Sequence, residues 1–347
     1  MNILIKRIKQ LVTLKGPKRP RIGKELSDLG IIEHAGVYIE NGKIKYYGRE
    51  KDVLEKIRDK KFYEIDAGGV VLPSFCDCHT HLVFAKPRIL DFEMRIAGYS
   101  YSEIKKRGGG INKSAKDIKE ASKEELISNL IDFSKRFIEC GTTSIEVKSG
   151  YGLSFDLEIK ILEVIREAKD KVDVKLIPTF LGAHSVPDDF KCSRDYLEYL
   201  KKELIPYVSR NKLAIYADIF CENGYFSKEE AIDYLSFAKK YNLIPKIHAE
   251  QLSRSGGAYA GYVVRAKTAD HLDFADENDI KLLKKSKTVA VFLPSSNYFL
   301  GSNRYPDINK FIENGNIVAL ATDFNPGTSP CWNMQFIISL ATTQMRM

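Results

Sequence analysis

The chain has 347 residues, 44% hydrophobic and 29% charged, which is enough apolar material for a substantial core and argues against an extended disordered state. Its formal net charge of +8 favours anionic ligands, but Lys and Arg are interspersed with Glu and Asp along the chain, a pattern of solvated faces that argues against nucleic acid as a partner. No apolar stretch reaches membrane-span length, Met1–Leu14 lacks the unbroken apolar run of a signal peptide, and the six cysteines show no disulfide framework, so a reduced, cytoplasmic protein free of the membrane is expected.

Residues 1–66 read as short strands and turns forming a small, mainly β domain. Gly36–Gly48 contains two strand-like runs about Asn41-Gly42, a strong hairpin signal. The basic run Lys15–Lys24 contains two prolines and reads as a surface loop. Apart from a short piece near Val53–Arg58, no helix-period segment precedes Ser122. From residue 67 to 347 the pattern becomes strand–helix alternation. Apolar runs fall at Val70–Phe75, Ser144–Val147, Val174–Phe180, Ile215–Phe220, Ile244–Ile247, Thr268–Ala269, Val289–Leu293 and Ile317–Ala321. Capping boxes at Ser122–Glu125 and Ser227–Glu230 open helices, and Gly141 and Gly315 close others. Eight such units in order predict an α/β fold, a (β/α)8 barrel of the TIM type.

In such barrels chemistry sits where strands end. The strand ends here carry Asp77-Cys-His-Thr-His81, Glu146–Tyr151, Gly182-Ala-His184, Cys221-Glu222, His248–Gln251, Asp270-His271 and Thr322–Asn325, which include five of the six histidines. His79 and His81 are two apart and share one strand face, the barrel interior. The same alternation turns Cys76 and Cys78 toward the helices and argues against a Cys-x-Cys metal site. His79, His81, His248 and Asp323 suit one divalent or trivalent ion, zinc or iron, with a position left open for water. A binuclear centre bridged by carboxylated Lys148 is a second reading. Arg88 is placed to clamp a carboxylate bidentately. Tyr101, Tyr151, His184, Gln251 and Asn325 supply hydrogen-bonding groups around the ion. His271 either steadies a developing oxyanion or is a structural partner of Asp270. Gly108-Gly109-Gly110 lacks the Gly-Lys-Ser/Thr of a phosphate loop and reads as a mobile lid segment.

The His-x-His, His, His and Asp arrangement resembles the amidohydrolase superfamily. Longer stretches are similar to the imidazolonepropionase family within it: Cys78–Phe84, Arg107–Ile111, Glu146–Gly152, Thr179–His184, Lys246–Gln251, Ala269–His271 and Ala321–Gly327. The resemblance implies hydrolysis of a small anionic heterocycle, 4-imidazolone-5-propanoate, to N-formimino-L-glutamate. It also implies metal ligation by His79, His81, His248 and Asp323, and substrate contacts at Arg88, Tyr151, His184, Gln251, Asn325, Gly327 and Thr328. Asp323, His271, Gln251 and His184 are the catalytic candidates. The competing readings are a nucleobase-type deaminase and an impaired barrel that only binds. Cys76 and Cys78 depart from the family's usual residues. The family's chain also continues past Met347 into strands that complete the small β domain. From this follow the expectations of a short, uncapped last helix near Trp332–Thr342 and of missing partners for Ile3, Leu4, Ile5, Val37 and Ile39. A homodimer is compatible with the sequence.

Overall fold

Asn41 and Gly42 carry positive φ of 53° and 74°, as a two-residue hairpin turn requires and an Asn-Gly pair readily adopts. They turn β2 (Ile31–Glu40) back on β3 (Lys43–Arg49). This is a computed structural model that describes all 347 residues apart from the side chains of Tyr101 and Ser102. The chain divides into two units, Met1–Ser74 and Phe75–Met347.

In the first unit β1 (Ile3–Val12) is central. It pairs antiparallel with β2 and parallel with β4 (Tyr63–Asp66) and β5 (Val70–Val71). Leu4 and Tyr38 pack with Val53 and Ile57, while Ile8, Leu11, Ala35 and Val37 form a second cluster that Ile5 and Ile39 join. With strands on both sides of β1, the partnerless apolar residues expected at Ile3–Ile5, Val37 and Ile39 are not found: Leu4 and Val37 are buried and the other three half-buried. Val70-Val71 reads in sequence as the start of the first barrel strand. It pairs instead with Gln10 and Leu11, which carries the first unit beyond residue 66 to Ser74.

The second unit is a barrel of parallel strands: β6 (Phe75–Asp77), β7 (Thr142–Lys148), β8 (Lys175–Ala183), β9 (Tyr216–Cys221), β10 (Ile244–Pro245) continued by β11 (Ile247–Ala249), β12 (Thr268–His271), β13 (Val289–Phe292) and β14 (Val318–Leu320). They pair in chain order, and a parallel bridge between Thr80 and Phe324 joins the last strand to the first. Alternation sets the two faces. Phe292 meets Phe311 on a flanking helix and Leu320 packs on Met334 and Ile337, so the intervening Val291 and Ala319 face inward. Cys78 packs with Val291, Ala319 and Ala321 and therefore lies inside the barrel, while Cys76 is exposed. This overturns the expectation that both cysteines face the helices. β6 ends at Asp77, and period-two alternation cannot be counted back through the irregular backbone from His79.

Ser122 and Ser227 cap their helices, each accepting from the backbone N–H three residues on; the full capping box expected at both forms at Ser227–Glu230, while at Ser122 the bond from Glu125 N–H is the half that forms. Three further helices, Ile89–Ile96, Tyr101–Lys106 and Ile111–Glu120, precede Ser122 where none of length was expected. Each is short and glycines separate them, so no helical period accumulates. The last helix, Met334–Gln344, is not uncapped: Asn333 Oδ1 accepts from the N–H groups of Gln335 and Phe336. Among the described residues no helix is long and apolar enough to cross a membrane. In the first unit, Leu4→Ala should cost about 2–5 kcal/mol through the cavity it leaves. Hydrogen exchange of the β1 amides reads this directly, and unchanged protection would show that the Leu4 cluster does not hold the sheet.

Candidate metal centre and substrate cavity

The ends of β6, β11, β12 and β14 bring His79, His81, His248, His271 and Asp323 together. Asp323 Oδ1 lies 3.4 Å from His79 Nε2 and 3.5 Å from His81 Nε2, and the His81 and His248 Nε2 atoms are 3.5 Å apart. His79, His81 and His248 form one group able to hold an ion, and His79, His271 and Asp323 form another. All five residues are buried. His79 Nε2 has no hydrogen-bond partner among the described residues. A buried, unpartnered ring nitrogen facing a carboxylate and two further imidazoles fits a divalent metal, and no cysteine joins either group.

Carboxylates stand behind two candidate ligands. His79 Nδ1 is hydrogen-bonded to Asp270 Oδ2 at 2.6 Å, an arrangement that fixes tautomer and ring orientation, and His248 Nδ1 lies 3.1 Å from Asp218 Oδ2 without hydrogen-bond alignment. Asp270 thus partners His79 and not its neighbour His271, whose Nδ1 is also buried without a partner. Burial holds His79, His81 and His271 well below the ordinary histidine pKa, and the nearby Lys148 cation adds to the effect, so the rings are neutral and fit to ligate. Burial pushes the Asp323 carboxyl well above its ordinary value. Asp323, His271 and Glu250 take positive φ of 54°, 81° and 54° at their strand ends, a strained conformation typical of functional positions.

Beneath the imidazoles lies a charge network that the sequence reading did not assemble. Lys148 Nζ is 2.8 Å from Glu146 Oε1 and 2.7 Å from Asp218 Oδ2, and Lys246 Nζ is 3.1 Å from the same Glu146 oxygen. Lys246 also donates to the Cys78 carbonyl at 2.9 Å. Lys148 is completely buried. Clamped between two carboxylates, it serves as their counter-ion, an arrangement that favours a single-ion centre. The signal was present in Glu146-Val-Lys148 and Lys246-Ile-His248, where charged residues two apart interrupt otherwise apolar strands.

The cavity above the cluster is lined by Arg88, Tyr151, His184, Gln251, Asn325 and Thr328 among others. Tyr101 opens the helix Tyr101–Lys106, but its side chain lies outside the described residues. His184 stacks on His81 with ring centroids 5.0 Å apart, and its Nδ1 is 3.0 Å from the Gly150 carbonyl. Burial pushes it down to about 3. The Gly150–Leu153 loop that carries Tyr151 is tied to Glu158, whose carboxylate accepts from the backbone N–H groups of Gly150, Gly152 and Leu153. A Cβ at Gly152 would meet the Glu158 nitrogen at 2.3 Å. Glu158 escaped sequence analysis because its partners are backbone groups.

Two residues expected to touch substrate also shape the site. Asn325 Oδ1 accepts from the N–H groups of Gly327, Thr328 and Ser329, and its amide donates to the Asp323 carbonyl at 2.7 Å. It therefore organises the turn after Asp323. Gly327 provides space: a Cβ there would lie 1.9 Å from Arg88 Nη2. The Gly108–Gly110 run, read as a lid, is bound to the helix that follows Arg88, with Gly110 N–H donating to Asp91 at 2.9 Å.

A His-x-His pair, two further histidines and an aspartate at the carboxyl mouth of a barrel form a site suited to a divalent ion, and the fold comparisons find the same barrel fold in other hydrolases. Guanine deaminase from C. acetobutylicum superposes with a TM-score of 0.69 at 16% identity, covering 100% of this chain and 80% of that one. An amidohydrolase from a Sargasso Sea sample does so at 0.64 and 14%, over 100% and 75%. No family profile matches the chain. The chain is, however, 40% identical to the curated imidazolonepropionase of Christiangramia forsetii over 350 residues, which is 100% of this chain and 84% of the relative. It is 41% identical to that of Geobacillus thermodenitrificans, over 99% and 82%. It belongs to the imidazolonepropionase family.

His248→Ala and Asp323→Ala should each abolish stoichiometric metal binding, while Asp218→Asn and Asp270→Asn should weaken it about 10–100-fold. Cys78→Ser should leave it intact. Acidification should weaken binding through Asp323, the ligand with the raised pKa, since ligands must be unprotonated. Competitive chelator titration measures all of these, and full metal affinity in both alanine variants would remove this centre from consideration.

Proposed function

We propose that the chain hydrolyses 4-imidazolone-5-propanoate to N-formimino-L-glutamate in histidine degradation, using one divalent ion, zinc or iron, held by His79, His81, His248 and Asp323. The observation that carries this reading is one cavity in which a buried guanidinium, Arg88, shares the lining with His81, His248 and Asp323. Such a cavity suits a small ring amide that bears a carboxylate. The reaction breaks the ring amide C–N bond: water supplies the oxygen of the new carboxylate, and a proton passes to the departing nitrogen.

When bound, the ion supplies Lewis-acid polarisation of the carbonyl and a nucleophile acidic enough to form near neutral pH. The chain's own residues do the rest. Arg88 binds the propanoate tail and so orients the ring for attack. Asp323, its carboxyl raised by burial, takes a proton from the attacking water and returns one to the leaving nitrogen. His271, neutral and with its Nδ1 unpartnered, donates to the oxyanion that develops on the carbonyl. With Nδ1–H donating to the Gly150 carbonyl, His184 turns Nε2 as an acceptor toward the substrate, beside Gln251 and Tyr151. The deaminase neighbours share the fold at 16–17% identity, and no feature of this cavity favours their reaction. Six free cysteines fit a reducing, cytoplasmic location.

Metal-analysed protein should consume imidazolonepropanoate and release N-formimino-L-glutamate. Metal-replete protein without turnover would leave only a binding role. Arg88→Ala should weaken substrate use by about 1.5–3 kcal/mol, the worth of a hydrogen bond to a charged group. An unchanged KM in that variant would place the tail elsewhere.

A further inference from the structure

Arg88 is 6% exposed, and two of its three guanidinium nitrogens have a side chain beside them. Nε lies 2.9 Å from Asp91 Oδ2 as an ion pair without hydrogen-bond alignment, and Nη1 donates to Ser114 Oγ at 2.9 Å. The remaining nitrogen, Nη2, makes no hydrogen bond among the described residues and lies where Gly327 would otherwise carry a side chain. Asp91 is itself 5% exposed. Besides its ion pair with Arg88 it accepts from the Gly110 N–H, and a Cβ at Gly109 would approach its Oδ1 to 2.5 Å. The glycine run, two short helices and the turn after Asp323 therefore close on one ion pair.

An exposed pair three residues apart on a helix would contribute little. Here both partners are buried, and a buried guanidinium without its carboxylate would be free to swing among rotamers or to recruit water. We infer that Asp91 is a positioning residue for substrate specificity. It holds the Arg88 guanidinium in one orientation, with Nη2 left for the ligand, and so gives the site its preference for a carboxylate over a neutral group at the end of the substrate tail. Ser114 and the absence of side chains at Gly109 and Gly327 complete the same mount. This deepens the proposed function and rests on its placement of the tail at Arg88.

The test is a binding ratio, measured by calorimetry on zinc-loaded protein with two non-hydrolysable probes, imidazole-4-propanoate and its carboxamide. The wild type should prefer the carboxylate. Asp91→Ala should lower carboxylate affinity about ten- to hundredfold, leave the carboxamide unchanged, and add nothing to Arg88→Ala in the double variant. Ser114→Ala should move the ratio in the same direction by less. Equal loss for both probes, additive Asp91 and Arg88 effects, or a wild type with no carboxylate preference would each overturn the inference. Should Asp91→Ala fail to fold, Ser114→Ala decides the matter: a reduced ratio supports the mount and an unchanged one overturns it. Turnover of imidazolonepropanoate by the wild type is scored separately, so a failure of the reaction and a failure of the Asp91 assignment are told apart.

Discussion

The centre depends on a charge balance inside the barrel. Glu146, Asp218 and Asp270 converge with Lys148 and Lys246 in a water-poor interior. Burial alone would raise all three carboxyls. His248 and Lys148 outweigh it at Asp218 and hold that group well below its ordinary value, and the two lysines do the same for Glu146. Asp270 stays raised. Removing one member of such a set leaves an uncompensated buried charge, at a cost of about 3–5 kcal/mol. The network reaches the imidazoles at its outer face: Asp270 is hydrogen-bonded to His79 Nδ1, and Asp218 lies 3.1 Å from His248 Nδ1. The His79 ring is thereby held by the protein's own groups.

Above this layer, carboxylates and amides bind backbone N–H groups instead of other side chains. Glu158 gathers the loop that carries Tyr151, and Asn325 gathers the turn after Asp323. Asp77, pushed up to about 7 by burial, accepts from the Thr322 N–H at 3.2 Å, as well as from its hydroxyl, and so joins the first strand to the last. The Glu158 and Asn325 ties fall at positive-φ residues or glycines, where the backbone alone would not hold. Precision at the mouth is thus drawn from the scaffold.

The barrel and the convergence of His79, His81, His248 and Asp323 at its mouth were legible in the sequence because both follow from periodicity. Apolar runs repeat in order, and histidines stand at their ends. What could not be read depends on contacts between segments distant in sequence. Cys78 was assigned the wrong face because the strand loses regularity between Asp77 and His79. Val70-Val71 looked like a barrel strand because β-branched residues do not announce which sheet they will join. The helices before Ser122 are too short to show a period. Asp91 and Glu158 resembled ordinary polar helix residues, since nothing local marks a carboxylate whose partners lie on another segment.

The Arg88–Asp91 pair also ties together the substitutions the chain can accept. Gly109 and Gly327 are more than two hundred positions apart, yet the pair closes both to side chains: Asp91, together with Ile104, blocks Gly109, and Arg88 blocks Gly327. While the pair stands, neither glycine can drift. A lineage that abandoned the carboxylate-bearing tail and lost Arg88 would release position 327 at once, whereas Ile104 would keep position 109 closed even after loss of Asp91. Bulk accumulating at position 327 would mark a descendant that had changed its substrate, even where every candidate metal ligand remained in place.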